Sequence, residues 1–446
     1  MKSVFALVFL ASVFAFAQDN TVVTVAPMAQ VAPTPTPAAT SEADANATPV
    51  TTVATDEKTI LEKAFPKFSL KSYGYFTFSQ EETFKAVNDL TKYNRRKIDL
   101  AEIAFEGIYD LTTTSKIEFE VEIEHGGVGT SMEYDPFEEF GEFEKELEQG
   151  GEVALTEFVY KKNFNKTNTA LKVGKFPLFI SLGTILTKPS KYAAINASDV
   201  EIAMIPYHWN EMGVQVEQKL GDFTGRLGLV SGLNSEFFRS YNWVGGGYQR
   251  QFETINADDL ATVASIEWGS ISKGTGIGLA YYNGNTTNNR YKKDKLTVDS
   301  YVTLVSLMVN YKLGRFMITG EAINGTLENS DKVSTANKSI RGLNPGAFSA
   351  LGHKAELQSL QLAYEFSDEW IGYLRHEHVN TFEEVQGSVV AAPRYDRTRE
   401  TGGLMWAFEK NAFMKFQYAE DQTDLDGLPK TKWFGVAFGF DIGKFN

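Results

Sequence analysis

Polar and apolar residues alternate one by one along much of the chain after residue 68, most clearly between residues 116 and 125. The charged residues of this window share one parity, and the apolar residues share the other. Only a strand separates two such sets onto opposite faces, because a helix would scatter both around its circumference. The charged set is Lys116, Glu118, Glu120, Glu122 and Glu124, and the apolar set is Ile117, Phe119, Val121 and Ile123.

The same alternation recurs often enough to predict about sixteen strands. In most windows one face is large and apolar while the other is small or polar, which is the reverse of a soluble sandwich core and favours a hollow barrel in lipid. An even number of strands allows closure with both ends on one side. The predicted strands lie near residues 68–79, 95–109, 115–125, 152–162, 168–175, 209–220, 223–232, 259–270, 274–285, 298–312, 315–327, 354–367, 370–380, 398–409, 412–422 and 431–443.

The connections between these strands alternate between tight turns and long polar loops. The long loops are expected near residues 80–94, 126–151, 176–208, 233–258, 286–297, 328–353 and 381–397. Short turns on one rim and long loops on the other are typical of bacterial outer-membrane barrels. We therefore expect an all-β, transmembrane antiparallel β-barrel over residues 68–446. The tryptophans near strand ends fit girdles at the membrane interfaces, and they are Trp209, Trp268, Trp370 and Trp433.

The N-terminal residues have a different character from the barrel. Residues 1–17 combine Lys2, a short apolar stretch and the sequence Ala15-Phe16-Ala17, which is typical of a cleaved secretory signal peptide. Residues 18–55 are rich in Pro, Thr and Ala, so we expect a disordered linker. Residues 56–67 have apolar positions at helical spacing before Pro66, which predicts a short helix.

Composition excludes several other classes of protein. The 446 residues include no cysteine, so there are no disulfides, thiolate metal sites or cysteine nucleophile. The formal net charge of -14 argues against a nucleic-acid partner. Beyond the N-terminus, no apolar run approaches the ~20 residues of a membrane-spanning helix. No G-x-S-x-G elbow is present, and His208 beside Glu211 is the sole weak catalytic pair, so we expect no enzyme, no cofactor and no metal site.

Three motifs lie on or beside predicted strands of the barrel. They are Asn94-Arg95-Arg96-Lys97 followed by Phe105-Glu106-Gly107, Lys172-Val173-Gly174-Lys175-Phe176-Pro177-Leu178, and Glu211-Met212-Gly213-Val214-Gln215-Val216. These motifs resemble segments of the phosphate-selective porin family. Their order and spacing agree with the family over most of residues 68–443. The resemblance implies a sixteen-stranded, trimeric pore whose third extracellular loop folds inward. The sequence has Asn210 where the family has arginine, and it has a row of glutamates on the third strand.

Loop 176–208 is therefore the predicted constriction of the pore. Basic residues on or near this loop could form one wall that faces the acids of the third strand, and opposed charges across a constriction set ion preference. The alternative is that these lysines lie on an exposed loop surface. The predicted pore-lining residues are Arg95, Arg96, Lys172, Lys175, Lys188 and Lys191 on the basic side, and Glu118, Glu120, Glu122 and Glu124 on the acidic side.

These patterns predict a porin in the cell outer membrane that lets small hydrophilic solutes or ions diffuse passively. The acidic third strand indicates weak selectivity for cations. Two alternatives stay open, a channel selective for anions or phosphate and a structural or adhesive barrel. The expected partners are outer-membrane lipid and lipopolysaccharide, the permeating solutes and further copies in a homotrimer. The acidic loop 126–151 either bridges lipopolysaccharide through divalent cations or keeps the outer surface solvated.

Overall fold

The computed structural model describes residues 67–86, 89–127, 152–248, 255–338 and 349–443. The predicted signal peptide and linker lie outside these residues. So do residues 56–66 of the predicted short helix, residues 128–151 of the acidic loop and residues 444–446 at the end of the barrel.

Sixteen antiparallel strands form a closed barrel in which every strand pairs with its neighbours in sequence. The first and last strands close the ring, from Ser72 opposite Ile442 to Glu81 opposite Trp433. The predicted sixteen-stranded barrel and its closing pair are confirmed. The strands are β1 Phe68–Ala86, β2 Asp89–Thr112, β3 Ser115–Glu124, β4 Glu152–Phe164, β5 Thr169–Pro177, β6 Asn210–Leu220, β7 Phe223–Ser231, β8 Leu260–Trp268, β9 Thr275–Asn285, β10 Tyr301–Leu313, β11 Phe316–Leu327, β12 Lys354–Glu365, β13 Trp370–Glu384, β14 Asp396–Glu409, β15 Ala412–Thr423 and β16 Thr431–Ile442.

The first hairpin differs from the sequence-based prediction. Residues 80–94 were expected to form a long loop, but β1 continues to Ala86 and β2 begins at Asp89. Ion pairs cross this extended ladder, with Lys92 Nζ 2.9 Å from a Glu82 oxygen and Lys97 Nζ 3.2 Å from a Glu81 oxygen. Cross-strand pairs of opposite charge stabilise a ladder, so polar sequence here extends the hairpin instead of ending it.

Aromatic side chains cluster at the rim that carries the short turns. Trp370 and Trp406 stack with their ring centroids 5.4 Å apart, and Phe316 lies 4.7 Å from the ring of Tyr364. Trp268 joins the same rim at the end of β8, where it is 40% exposed. Amphipathic rings of this kind favour the boundary between lipid and water.

Two of the four tryptophans expected in the girdles lie elsewhere. Trp209 is fully buried inside the barrel, against the ring of Tyr282 at 4.8 Å. Trp433 has inward parity on β16 and lines an internal cavity. Position near the end of a strand was therefore not enough to place these rings at the membrane interface, because a residue there can point into the barrel as well as towards lipid.

The two faces of the wall differ as the alternation predicts. Outward side chains are apolar and exposed, for example Leu374 at 72% and Leu227 at 61%. Inward side chains are polar and buried, for example Ser306 and Gln417. The interior also contains chain segments that connect strands on the long-loop side, and fully buried Trp209, Trp243 and Tyr282 belong to one apolar cluster with them.

Within the described residues, helical structure is confined to connections between strands. The helices there are α1 Leu182–Ile185 and α2 Ser330–Lys338, with several single 3-10 turns. No helix within the described residues is long and apolar enough to cross a membrane.

The parity of β3 can be tested with two neighbouring substitutions. Glu120 and Glu122 are buried on the inward face, so Phe119, which directly precedes Glu120, has outward parity. A lysine on the lipid face near mid-bilayer costs about 2–4 kcal/mol. We expect Phe119→Lys to reduce the yield of assembled barrel far more than Glu120→Lys, measured by heat-modifiable mobility in outer-membrane fractions. Equal yields would contradict the assignment of the faces.

Candidate functional site

Residues 178–209 connect β5 to β6, and we call this segment the inward loop. It contains α1 and two 3-10 turns, Pro189–Lys191 and Glu201–Ala203. Ser181 caps α1, because its Oγ accepts a hydrogen bond from the backbone N–H of Thr184 at 3.3 Å. Such a cap satisfies a backbone donor that the helix itself leaves free, so the loop has local structure of its own.

The inward loop is bonded to strands on opposite sides of the ring. At its start, Ser306 of β10 donates a hydrogen bond to the carbonyl oxygen of Ile180 at 2.6 Å. Further along, Lys188 Nζ lies 2.8 Å from Glu106 Oε2 of β2. Strands β2 and β10 are eight positions apart in a ring of sixteen. A segment that touches both of them must cross the interior of the barrel.

The first attachment is an ion-pair network around Asp199. This carboxylate forms ion pairs with Arg375 of β13 and with Nε of Arg399 of β14, the latter at 3.2 Å. The backbone N–H of Asp199 also donates to Glu377 Oε1 at 3.0 Å. Burial works against the charged form, but the guanidinium groups of Arg399 and Arg375 outweigh it and lower the pKa of Asp199 to about 2.

The second attachment surrounds the start of α1. Glu201 accepts hydrogen bonds from Ser181 Oγ and from the backbone N–H of Gly183, the latter at 2.9 Å. Glu321 of β11 accepts from the backbone N–H of Leu182 at 2.8 Å. Burial raises the pKa of Glu201 to about 7, while its hydrogen bonds limit the rise. Glu201 also shares a side-chain hydrogen bond with Glu321, so a titrating carboxyl group takes part in holding the loop to the wall.

The third attachment is a buried lysine of β15. Lys415 is 1% exposed, and its Nζ lies 2.6 Å from each of the carbonyl oxygens of Pro189 and Ala194. The ammonium group also lies 4.0 Å from the ring centroid of Tyr192, a cation–π arrangement. The amino group of this wall residue is thus directed into the loop backbone and away from open water.

A cavity of about 560 Å³ lies between the inward loop and the wall formed by β1, β2, β3 and β16. The wall contributes Tyr75, Thr77 and Trp433, and the loop contributes Ile195 and the segment 205–208. On the other side, the loop joins the apolar cluster of Trp209, Trp243 and Tyr282. The inward loop therefore fills one side of the barrel and leaves open space against the other.

The cavity wall is acidic. Its acidic residues are Asp99, Glu102 and Glu124, its histidines are His125 and His208, and no lysine or arginine is among the described residues that line it. His125 Nδ1 lies 2.9 Å from an oxygen of Asp99 at the exposed edge. Fixed negative charge in a narrow aqueous space attracts cations.

The predicted acidic row lies on the inward face of β3. Glu122 is 1% exposed, and Glu120 accepts a hydrogen bond from Tyr73 Oη at 3.4 Å. Glu124 reaches the cavity, whereas Glu118 lies at the other end of the strand in an ion pair with Lys116.

The structure does not bring the six predicted basic residues together. Lys175 lies opposite half-exposed Phe158 and Met212 in its two ladders, so it shares their outward face. Arg96 has the same parity as Ile98, which is 84% exposed, so it also points outward. The predicted basic wall is wrong in these two positions, because residues at odd spacing on a strand point to opposite faces.

The other four predicted basic residues are dispersed. Arg95 has inward parity opposite Glu81 in the extended first hairpin, and Lys172 lies opposite Lys161 near the start of β5. Lys188 reaches Glu106, while Lys191 is exposed at the end of its 3-10 turn.

The sequence reasoning missed the residues that attach the loop. Arg375, Arg399 and Lys415 each have inward parity on a predicted strand, and that parity was the available signal. Their partners, the Asp199 carboxylate and the carbonyl oxygens of Pro189 and Ala194, lie in the loop, where no periodic pattern indicates what a group will touch.

Comparison with known proteins gives a likeness of fold. No family model matches the chain, and no curated protein matches it. The outer-membrane channel DcaP of Acinetobacter baumannii has a TM-score of 0.52 at 10% identity, covering 84% of this chain and 97% of that one. OmpF of Salmonella typhi, in complex with daunomycin, has a TM-score of 0.49 at 12% identity, covering 84% and 97%. OmpT of Vibrio cholerae, an outer-membrane protein, has a TM-score of 0.46 at 12% identity, covering 84% and 98%.

At these identities the comparisons bear on the fold alone. The barrel matches the fold of an outer-membrane channel, as the DcaP superposition shows. The resemblance to phosphate-selective porins stays a prediction.

The Asp199 attachment predicts a specific loosening of the loop. Asp199→Asn removes a charged hydrogen-bond acceptor, an interaction worth about 1.5–3 kcal/mol. We expect faster amide hydrogen exchange over residues 195–203 in detergent-solubilised protein. The matched control is Asp421→Asn, which removes another carboxylate from Arg399 at 2.8 Å without touching the loop. Unchanged exchange in Asp199→Asn would contradict this role.

The Glu201 attachment predicts a pH dependence. Its folded pKa of about 7 exceeds the value of about 4.3 for an exposed glutamate, so the attachment is strongest below about pH 4 and weakens as the pH rises through 7. Glu377 and Glu321 also act on this carboxyl group from the wall, and Arg375 acts on Glu321.

Hydrogen exchange of residues 182–186, corrected for intrinsic rates, measures this effect. Protection should fall between about pH 5 and about pH 8, and Glu201→Gln should keep protection constant because its side chain does not ionise. The control is Glu236→Gln, a buried glutamate of another connection. Constant protection in the unmodified protein would refute the prediction.

Proposed function

We propose that this protein is an outer-membrane porin through which small hydrophilic solutes or ions diffuse passively, and that the inward loop narrows its passage. The observation that carries the proposal is the acidic cavity between the attached inward loop and the wall of β1, β2, β3 and β16. A closed barrel with a polar interior provides a water-filled route, and an attached loop limits its width.

The outer surface supports the membrane location. The exposed outward side chains are apolar in the middle of the wall, and the aromatic cluster follows one rim. An apolar surface of this kind is favourable against lipid and unfavourable against water. A closed ring also leaves no strand edge with free backbone groups. The same proposal includes outer-membrane lipid and lipopolysaccharide as surroundings and a homotrimer as the assembled state.

The charge distribution favours weak selectivity for cations. Asp99, Glu102 and Glu124 line the cavity, while Lys188 is engaged by Glu106 at 2.7 Å. Acidic walls of low dielectric constant concentrate cations. Near the open edge of the cavity, salt at ~0.15 M screens charge over about 8 Å, which keeps the selectivity modest.

An anion or phosphate channel would need free basic groups in the passage. Arg375 and Arg399 are held by carboxylates, and Lys415 is held by carbonyl oxygens of the loop. Because these basic groups are engaged in the wall and the loop, the contacts argue against a channel selective for anions or phosphate. The structural or adhesive alternative predicts a barrel that passes almost no current, so one electrical measurement separates all three.

The test is the reversal potential of single channels in planar bilayers across a salt gradient. We expect a small potential of the sign that indicates cation preference. Asp99→Asn combined with Glu124→Gln should move it towards zero or to anion preference, because both charges line the cavity.

The matched control is Asp110→Asn combined with Asp222→Asn. It removes the same amount of charge at exposed positions near the short turns, so the potential should stay unchanged. Strong anion preference with chloride current blocked by phosphate would favour the anion alternative. Absence of current would favour a structural barrel.

A further inference from the structure

Two glutamates and a histidine converge beside the cavity, and two of them, Glu102 and His208, line it. One ligand atom from each of Glu102, Glu122 and His208 lies within 4.8 Å of the other two. The three side chains are 4%, 1% and 6% exposed, respectively. They come from β2, β3 and the end of the inward loop, so three separate parts of the chain meet here.

The ladder between β2 and β3 sets the positions of the two carboxylates. Glu102 pairs with Glu124, and the next inward residue of β2, Ala104, pairs with Glu122. Glu102 and Glu122 are therefore diagonal neighbours on one face, a separation that long side chains can bridge. The small side chain of Ala104 leaves room beside them.

The histidine is placed from the opposite side. His208 is followed by Trp209, whose indole N–H donates to Glu211 Oε1 at 2.8 Å and whose ring packs on Tyr282. The imidazole stacks on Tyr207 with the ring centroids 4.1 Å apart. These contacts anchor the end of the inward loop and hold the imidazole against the two carboxylates.

The donor set indicates the class of ion. Two carboxylates and a neutral imidazole carry a charge of about -2, and buried charges in proteins are paired or coordinate metals. Imidazole nitrogen suits zinc and similar transition metals, whereas calcium and magnesium prefer all-oxygen sites. Zinc commonly takes three such protein ligands at about 2.0–2.2 Å with water in the fourth position.

We propose that Glu102, Glu122 and His208 form a binding site for one divalent transition-metal cation of the zinc class, which ties the end of the inward loop to β2 and β3. Glu102 and His208 also line the cavity, so the ion has a route from water and an open position for a water ligand. This site goes beyond the proposed porin function and does not depend on it.

The test is isothermal titration of the folded full-length protein with Zn²⁺ in detergent, after treatment with a chelator and without a histidine tag. We expect one saturable site per chain and no comparable site for Ca²⁺ or Mg²⁺. Loss of one ligand should weaken Zn²⁺ binding at least about tenfold, in Glu122→Gln and in His208→Gln separately. His208→Gln changes a loop position outside the strand ladders, so we expect assembly of the barrel to be retained in that variant, checked by heat-modifiable mobility.

The matched control is His378→Gln. His378 also lies between two carboxylates, with Nε2 2.8 Å from Asp396 and Nδ1 3.8 Å from Glu356. This variant should bind Zn²⁺ as the unmodified protein does. In addition, Zn²⁺ should slow hydrogen exchange over residues 205–209, and His208→Gln should abolish that effect.

Three results would overturn the site. They are absence of saturable Zn²⁺ binding, binding that both cluster variants retain, and loss of binding in His378→Gln alone. A barrel that binds Zn²⁺ but passes no current would refute the porin proposal and leave the site intact, and a conducting barrel without binding would do the opposite.

Discussion

The structure depends on the requirement that backbone N–H and C=O groups be satisfied within a wall that faces lipid. Pairing of β1 with β16 meets this requirement, because it removes the two edges that an open sheet would leave. Closure has a second consequence, since alternate residues must then point to two different solvents. Apolar residues on one parity and polar residues on the other are the result, and the polar interior is what allows a loop to be bonded there.

The inward loop is held by charges that would be costly to bury singly. Glu377, Arg399 and Asp421 lie in one row across β13, β14 and β15, with alternating sign. Asp199 joins this row from the loop, next to Arg375. Each buried charge of this network thus lies next to an opposite charge, which offsets part of the free energy that desolvation costs. The loop completes a network that the wall alone leaves unfinished, so its position follows from electrostatics as well as packing.

The period of two was sufficient to predict the barrel, the number of strands and the closing pair. The same alternation of faces excludes the single basic wall that was predicted. Lys172 and Lys175 are three residues apart on one strand, and Arg95 and Arg96 are adjacent, so neither pair can share a face. The prediction of a long loop in the first hairpin was wrong for a different reason, because cross-strand ion pairs allow a polar sequence to continue as a strand.

The contacts of the loop could not be read from the sequence, since they join residues far apart in the chain. Asp199 and Arg375 are 176 positions apart, and no local pattern links them. Parity did place Arg375 and Lys415 on the inward face, but parity does not say which inward group meets which loop atom. The cluster of Glu102, Glu122 and His208 has the same origin, because strand register fixes the carboxylates and only the path of the loop brings the histidine to them.

The attachment of the loop and the charge of the cavity are therefore connected. Arg375, Arg399 and Lys415 are engaged by carboxylates or carbonyl oxygens on the side of the barrel that the loop fills. Their fields are largely compensated within a few ångströms by those partners. The acids of β2 and β3 lie on the other side, facing open space. The charges that face the cavity are therefore acidic, even though both signs of charge occur in the same barrel, and this is the arrangement on which the proposed preference for cations rests.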